Sequence, residues 1–229
     1  RGTNATAAVS HVINSYVKFY RFDQKINSNY STVVSEVSSH VGLRGVLARY
    51  PWRAIETAQG VYDFTELDSI LADMTAIGKR LCFMVELRST ASEEYMVPDY
   101  VINNASSDTG QFQFKGVNNP LADGWYPRLW NTYTKNRFIA FLEACAAHFD
   151  THDNFEMFQL SETALGNAMG TAAAGAGTSQ PAGFNPVPAD YRSTTTGYFA
   201  GLLESTLALN TAAPNTITCQ LLNYDRSVI

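Results

Sequence analysis

"RYPWRAIETAQGVYDFTELDSILADMTAIGKRLCFMVE" (Arg49–Glu86) reads as one passage from a strand through a helix to the next strand. Its first residues close "LRGVLARY" (Leu43–Tyr50), a short apolar run that suits a strand. Pro51 follows, so Trp52 is expected in a loop at the strand end. "GVYDF" (Gly60–Phe64) reads as a turn whose aromatic rings pin the next helix, with Asp63 or Thr65 as its cap. Leu67, Ile70, Leu71, Met74 and Ile77 then recur at three- and four-residue steps, the spacing of one helix face, until Gly78 stops the helix. "RLCFMVEL" (Arg80–Leu87) is apolar almost throughout, as expected of a strand covered on both faces.

The same alternation extends in both directions. "YVKFYRF" (Tyr16–Phe22) is an earlier strand, and "STVVSEVSSHVG" (Ser31–Gly42) a short helix with Ser31 as its cap. Phe138, Phe141, Leu142, Cys145 and Phe149 mark another helix, followed by the strand "FEMFQL" (Phe155–Leu160). Phe199, Leu202, Leu203, Thr206 and Leu207 predict the buried face of a last helix, before the strand in "TITCQLLNY" (Thr216–Tyr224). Strict alternation implies right-handed βαβ units and a parallel sheet, hence an α/β fold. The helix-to-strand connections "GKR", "DTHDN" and "AAPNT" are short. The strand-to-helix loops after strands three and four are long, the first aromatic and the second rich in Gly, Ala and Pro. A (β/α) barrel has this asymmetry, with the active site at the elaborated end. A doubly wound sheet allows it too, but no GxGxxG or P-loop follows the first strand.

Composition narrows the partners. Sixteen basic against 21 acidic residues leave a net charge of −5, and no Lys/Arg cluster is present, which argues against nucleic acid. No apolar run approaches the roughly 18 residues of a membrane span. "RGTNATAAV" reads as a processed or trimmed start. Cys82, Cys145 and Cys219 show no CxxC spacing and read as three buried thiols rather than a disulfide framework or zinc site. His148 and His152 flank a helix-to-strand turn without an HExxH pattern, so solvent exposure is expected and no metal or cofactor is implied. Asn4, Asn29 and Asn104 each open an N-x-S/T sequon, in keeping with an extracellular or periplasmic protein.

One pattern carries family information: Trp52, then Ile55-Glu56, then Gly60-x-Tyr62-Asp63-Phe64, Leu67-Asp68, and Gly78-Lys79-Arg80 before an apolar strand. It resembles the second and third βα units of clan A glycoside hydrolases, in particular the family 42 β-galactosidase-like barrels. The resemblance runs from about Tyr16 to Tyr224. It implies a (β/α)8 TIM-barrel type fold, with residues 1–229 forming a single domain that supplies about the first five βα units. It also implies hydrolysis of a β-linked glycosidic bond in an oligo- or polysaccharide, with retention. "FQLSETALG" (Phe158–Gly166) falls where the clan's fourth strand ends in an Asn-Glu pair, which makes Glu162 the general acid/base and puts Ser161 in place of the Asn. A hydroxyl is shorter than an amide and offers one donor, so sugar recognition differs there. The clan's nucleophile comes from the seventh strand, beyond five units. The remaining strands are expected from a longer chain or from a second copy, unless the fold is a shorter α/β sheet.

The chemistry fits the position. A carboxyl group in a partly desolvated pocket at a strand end has its pKa raised, as a general acid requires. Glu86 ends strand three and offers either a dyad with Glu162 or a pair with Arg49 or Arg88; a supporting or substrate-binding role is favoured. Arg21, Asp23, Arg49, Tyr50, Asn223 and Tyr224 also fall at strand ends, and Asn223 and Tyr224 could donate hydrogen bonds. Trp52, Trp125, Tyr126 and Trp130 offer flat apolar faces to a sugar, or else pack the long loop onto the body. Ser161 and the missing nucleophile leave a second reading open, a non-catalytic glycan-binding or structural barrel. No GxSxG elbow supports an unrelated α/β-hydrolase.

Overall fold

The computed structural model describes residues 21–23, 29–87, 89, 95–108, 110–114, 124–160 and 197–220. Five strands form one sheet: β1 (Arg21–Asp23), β2 (Gly45–Pro51), β5 (Arg80–Glu86), β8 (Phe155–Leu160) and β9 (Ile217–Gln220). Every neighbouring pair is parallel. Spatial order follows chain order without reversal, β1-β2-β5-β8-β9. A doubly wound sheet reverses at a switch point. The unbroken order is that of a barrel wall, and the fold is the α/β fold of a partial (β/α) barrel.

Four helices make the crossovers: α1 (Tyr30–Ser39), α3 (Thr65–Ala76), α5 (Thr132–Phe149) and α6 (Tyr198–Ala212). They cover one face of the sheet. Val46, Ala48 and Tyr50 of β2, Leu81, Phe83 and Val85 of β5, and Phe158 and Leu160 of β8 alternate towards them. Leu67, Ile70, Leu71 and Met74 of α3 and Phe138, Phe141, Leu142, Cys145 and Phe149 of α5 complete this core, all at most 5% exposed. Two further excursions leave the barrel wall. A one-turn helix α2 (Trp52–Ile55) and the β3–β4 hairpin (Glu56–Ala58, Val61–Tyr62) follow β2. A one-turn helix α4 (Asp99–Ile102) and the antiparallel β6–β7 hairpin (Gln111–Phe114, Gly124–Pro127) follow β5.

The helix ends follow from local chemistry. The N-cap position of α3 falls on Phe64 rather than on Asp63 or Thr65, but Asp63 Oδ1 accepts the Thr65 amide at 3.0 Å just before the first turn, and hydrogen bonds from the Thr65 hydroxyl and then its amide lower the Asp63 pKa. At the other end Gly78 takes φ 67°, and the Gly78 and Lys79 amides bond back to Thr75 and Met74. This is a Schellman stop. The expected Ser31 cap is displaced: α1 begins at Tyr30, and the Asn29 carbonyl takes the amides of Thr32 and Val33. The rings of "GVYDF" also reach further than expected. Tyr62 lies 6.4 Å from Phe141, and Phe64 lies 4.3 Å from His148 and 5.4 Å from Phe149, so they pin α5 rather than α3.

The predicted face of α6 needs correction. Leu202 is buried as expected, but Leu203 and Leu207 are 61% and 56% exposed, and Ser205 and Leu209 face inward instead. Close approach sets this rotation. A Cβ on Gly201 would lie 2.1 Å from the Leu129 carbonyl oxygen, so only glycine permits that packing. Ser205, one turn on, spends its hydroxyl on the Gly201 carbonyl at 2.8 Å.

Glu56 is the buried hub of the molecule, with no exposed surface. Its Oε2 accepts the Trp52 indole N–H at 2.6 Å. Its Oε1 accepts the Gly60 amide and Arg137 Nη2, each at 2.8 Å. Arg137 Nε continues the network to the Tyr100 hydroxyl at 3.1 Å. Burial pulls the Arg137 pKa down, but the bonds to Tyr100 and Glu56 outweigh it and raise it. Burial, and then the Glu56 charge, push the Cys145 thiol up.

Removing one partner of such a pair strands the other charge in a dry site. Glu56→Gln is expected to lower the unfolding free energy by about 3–5 kcal/mol. Replacing Arg137 with Met as well should recover part of that loss, because the two sites are coupled. Equilibrium urea unfolding of both single variants and the double variant measures this. Single variants within about 0.5 kcal/mol of the parent would show that the network carries no stability.

Candidate active site

The C-terminal ends of the strands carry the charged residues that the sequence singled out. Side chains on the face of the sheet away from the helices follow a strict register. Arg49 stands opposite Met84, Met84 opposite Gln159, and Gln159 opposite Cys219. One step further up, Pro51 stands opposite Glu86. Neighbouring strands lie about 4.8 Å apart, so the long Arg49 side chain reaches up one step and across one strand. There its Nη2 forms an ion pair with Glu86 Oε1, both side chains being about four-fifths buried.

Of the alternatives for Glu86, the described residues show the pair with Arg49, while Glu162 and Arg88 lie outside them. The Arg49 guanidinium engages its carboxylate, which fits a hydrogen-bond acceptor held in a fixed orientation. Gln159 is a further polar residue of the same row, 8% exposed. Its signal in the sequence was small: one polar residue in the alternate register of an otherwise apolar strand.

The aromatic candidates divide. Trp52 is a correction: it is wholly buried, its ring 5.3 Å from Phe138 and 5.9 Å from Phe141, with the indole N–H on Glu56. Its ring is core, not a platform for a ligand. Tyr126 is corrected in the same way, buried between Phe112 and Tyr198 at 6.1 and 5.4 Å. Trp130 packs 5.3 Å from Phe112 with Arg128 over its ring. Trp125 differs. It precedes Tyr126 on β7, so it projects to the opposite side of the hairpin and stays partly exposed. Its amide donates to the Ser89 hydroxyl at 2.8 Å, and its carbonyl accepts the Ser89 amide at 3.1 Å. Ser89 lies three residues beyond Glu86, so this clasp brings Trp125 to the exit of β5.

Glu162, Ser161, Asn223, Tyr224 and Arg88 lie outside the described residues, as do the side chains of Arg21 and Asp23. The described part of β8 ends at Leu160, in register with Val85, one position short of the level of Glu86.

The opposite end of the sheet is built differently. Arg44 bonds Glu156 at 2.6 Å. Lys79 Nζ donates to the His40 and Leu43 carbonyls, and the Asn154 side chain donates to the Lys79 carbonyl. A polar cavity of about 770 Å³ opens there among Arg80, Asp150, His152, Asp153 and Asn215. Both histidines lie on this side, but His148 is not simply solvated: its Nε2 bonds Asp68 at 2.7 Å, and its ring stacks on Phe64. Among the described residues no cluster of three potential ligands could hold a metal ion. Cys82 and Cys145 are buried and in no disulfide, while Cys219 is only half-buried.

No protein-family model matches the chain, and no curated protein sequence matches it. Solved structures do share its fold. The catalytic domain of β-amylase from Paenibacillus polymyxa aligns over 85% of this chain and 62% of its own, at 11% identity and a TM-score of 0.50. A β-galactosidase from the psychrophilic Marinomonas ef1 aligns over 87% of this chain and 36% of its own, at 11% identity and a TM-score of 0.52. The polyextremophilic β-galactosidase from the Antarctic haloarchaeon Halorubrum lacusprofundi aligns over 87% and 35%, at 13% identity and a TM-score of 0.52. The chain thus spans between 35% and 62% of the length of these barrels. The likeness shows a shared (β/α)-barrel fold, and it does not single out family 42.

Proposed function

We propose that this chain is part of a retaining glycoside hydrolase acting on β-linked oligo- or polysaccharides. The observation that carries this reading is the Arg49–Glu86 ion pair at the C-terminal ends of adjacent strands in an in-order parallel sheet. Barrel enzymes place their chemistry at that end. The pair supplies a fixed carboxylate acceptor for a sugar hydroxyl, beside the exit of the strand that leads to Glu162.

Glu162 acts as general acid, protonating the glycosidic oxygen as the bond breaks, and then as general base towards water. A second carboxylate, about 5–5.5 Å from it, forms and releases the glycosyl-enzyme intermediate. That nucleophile comes from a strand beyond the five of the sheet formed by the described residues. The exposed Leu203 and Leu207 on α6 suit cover by further βα units, from the same polypeptide or from a second copy. Ser161, Asn223 and Tyr224 contribute hydrogen bonds to the sugar, and Trp125 a stacking face. Such a protein works where polysaccharide is found, outside the cytoplasm. The non-catalytic glycan-binding reading draws on Ser161, which replaces the amide expected before the acid/base.

Glu162→Gln in the complete protein is expected to reduce kcat by about 10²–10⁴-fold on a β-glycoside with a poor leaving group. The loss in kcat/KM should shrink on a dinitrophenyl glycoside, which leaves without protonation, while kcat stays low because water attack on the intermediate still lacks its base. A kcat within tenfold of the parent on the poor leaving group would remove Glu162 from the mechanism. Oligosaccharide binding without turnover by the parent would favour the binding barrel instead.

Arg49→Met should raise KM more than it lowers kcat, because Glu86 loses the partner that fixes it. Arg49→Lys should restore only part of the affinity, since an ammonium cannot reproduce the planar guanidinium contact. Steady-state kinetics on one substrate separates the two parameters, and an unchanged KM in Arg49→Met would exclude the binding role of the pair.

A further inference from the structure

Three side chains from the two excursions meet at the C-terminal rim, and the barrel core uses none of them. Trp125, held by Ser89, faces Tyr95 with ring centroids 5.5 Å apart and planes tilted by 58°. The Arg53 guanidinium lies 6.0 Å from the Tyr95 centroid. Arg53 is gripped in turn by Asp99, at 3.0 and 3.2 Å. The segment that carries Tyr95 is anchored. Met96 and Val97 are 4% and 1% exposed, and the Met96 carbonyl accepts the Arg53 amide at 3.0 Å. Tyr95 and Trp125 themselves remain partly exposed. Arg53 is four residues beyond Arg49, and Ser89 three beyond Glu86, so at most roughly 10–14 Å of chain joins the row to the Arg49–Glu86 pair.

We propose that Tyr95 and Trp125 form a second sugar subsite, with Arg53 and Asp99 as its polar edge, which holds a ring of the glycan away from the bond that is cut. The proposal rests on the glycosidase reading and extends it to a substrate of several units. The chemistry selects the ligand. Tilted aromatic rings offer one face and one edge to the C–H surface of a pyranose. The adjoining guanidinium and carboxylate donate to and accept from ring hydroxyls. A purely apolar ligand would leave those charges unmatched, and a polyanion would meet Asp99 on a chain of net charge −5.

The test is isothermal titration of the complete protein with β-linked oligosaccharides from disaccharide to hexasaccharide. Tyr95→Ala, Trp125→Ala and Trp125→Phe are compared with the parent, and matching thermal unfolding serves as the fold control. Parent affinity should rise with chain length. Either alanine variant should lose about tenfold on the longer oligosaccharides and little on the disaccharide, with Trp125→Phe retaining most of the affinity. Alanine variants that bind every length like the parent overturn the subsite, while loss of turnover in Glu162→Gln would still support the glycosidase. Equal losses at all lengths place the rings elsewhere and also overturn it. A parent that binds no oligosaccharide sinks both readings together.

Discussion

A fully buried carboxylate must find donors, and much of this molecule is arranged around supplying them to Glu56. The donors come from three places: the indole of α2, the amide in the β3–β4 turn and the guanidinium of α5. None of the three can move without leaving a charge or a lone pair unmet in a dry site. Gly60 takes φ 74° so that its amide turns inward to the carboxylate. Trp52 is held at both ends, with its ring between Phe138 and Phe141 and its nitrogen on Glu56. Pro51 precedes it directly, so the exit of β2 is fixed, and with it the level at which Arg49 meets Glu86. The buried charge acts on the rim through packing, without touching it.

Period and punctuation made the fold legible. The predicted faces of α3 and α5 are buried except for Ile77, which is the partly exposed C-cap, and Gly78 stops α3 as its sequence position implied. Sequential strand order then decided between a barrel and a doubly wound sheet, which a pattern of alternating elements does not do. On α6 the pattern named a stripe one position out of place. Leu202 and Leu203 are adjacent apolar residues, and here only Leu202 faces the core. Gly201 and Ser205 made that choice through a backbone approach. Small residues read as neutral in a hydrophobicity pattern, although they mark the closest contact.

The site was legible in its charges and less so in its rings. Arg49 and Glu86 stand at strand ends in the sequence, and parallel register alone brings them together. For the tryptophans, composition gives no sign of direction. Trp52 does carry one clue, a Glu four residues on that can accept its indole proton once a turn of helix forms. Trp125 and Tyr126 are neighbours on a short strand, and alternation sends one to the core and the other to the rim. Tyr95 carries no such sign, because its position depends on Met96 and Val97 being buried beside it.

The two ends of the sheet are held by different means, and the difference suits a division of labour. At the amino ends short turns interlock through the backbone as well as through the side chains of Arg44, Lys79 and Asn154: Arg80 N bonds Arg44 O, and Leu81 N bonds Asn154 O. Gly45 packs so tightly on Arg80 that a Cβ there would lie 1.8 Å from its carbonyl oxygen. Little side-chain variation is tolerated at that approach. At the carboxyl ends the excursions are long, and side chains fix them to one another: Glu56 with Arg137, Arg53 with Asp99, Ser89 with Trp125. Side-chain contacts can change one at a time without disturbing the ladder below. The carboxyl rim is therefore the end at which a ligand could be accommodated by substitution, while the amino rim keeps the strands in register.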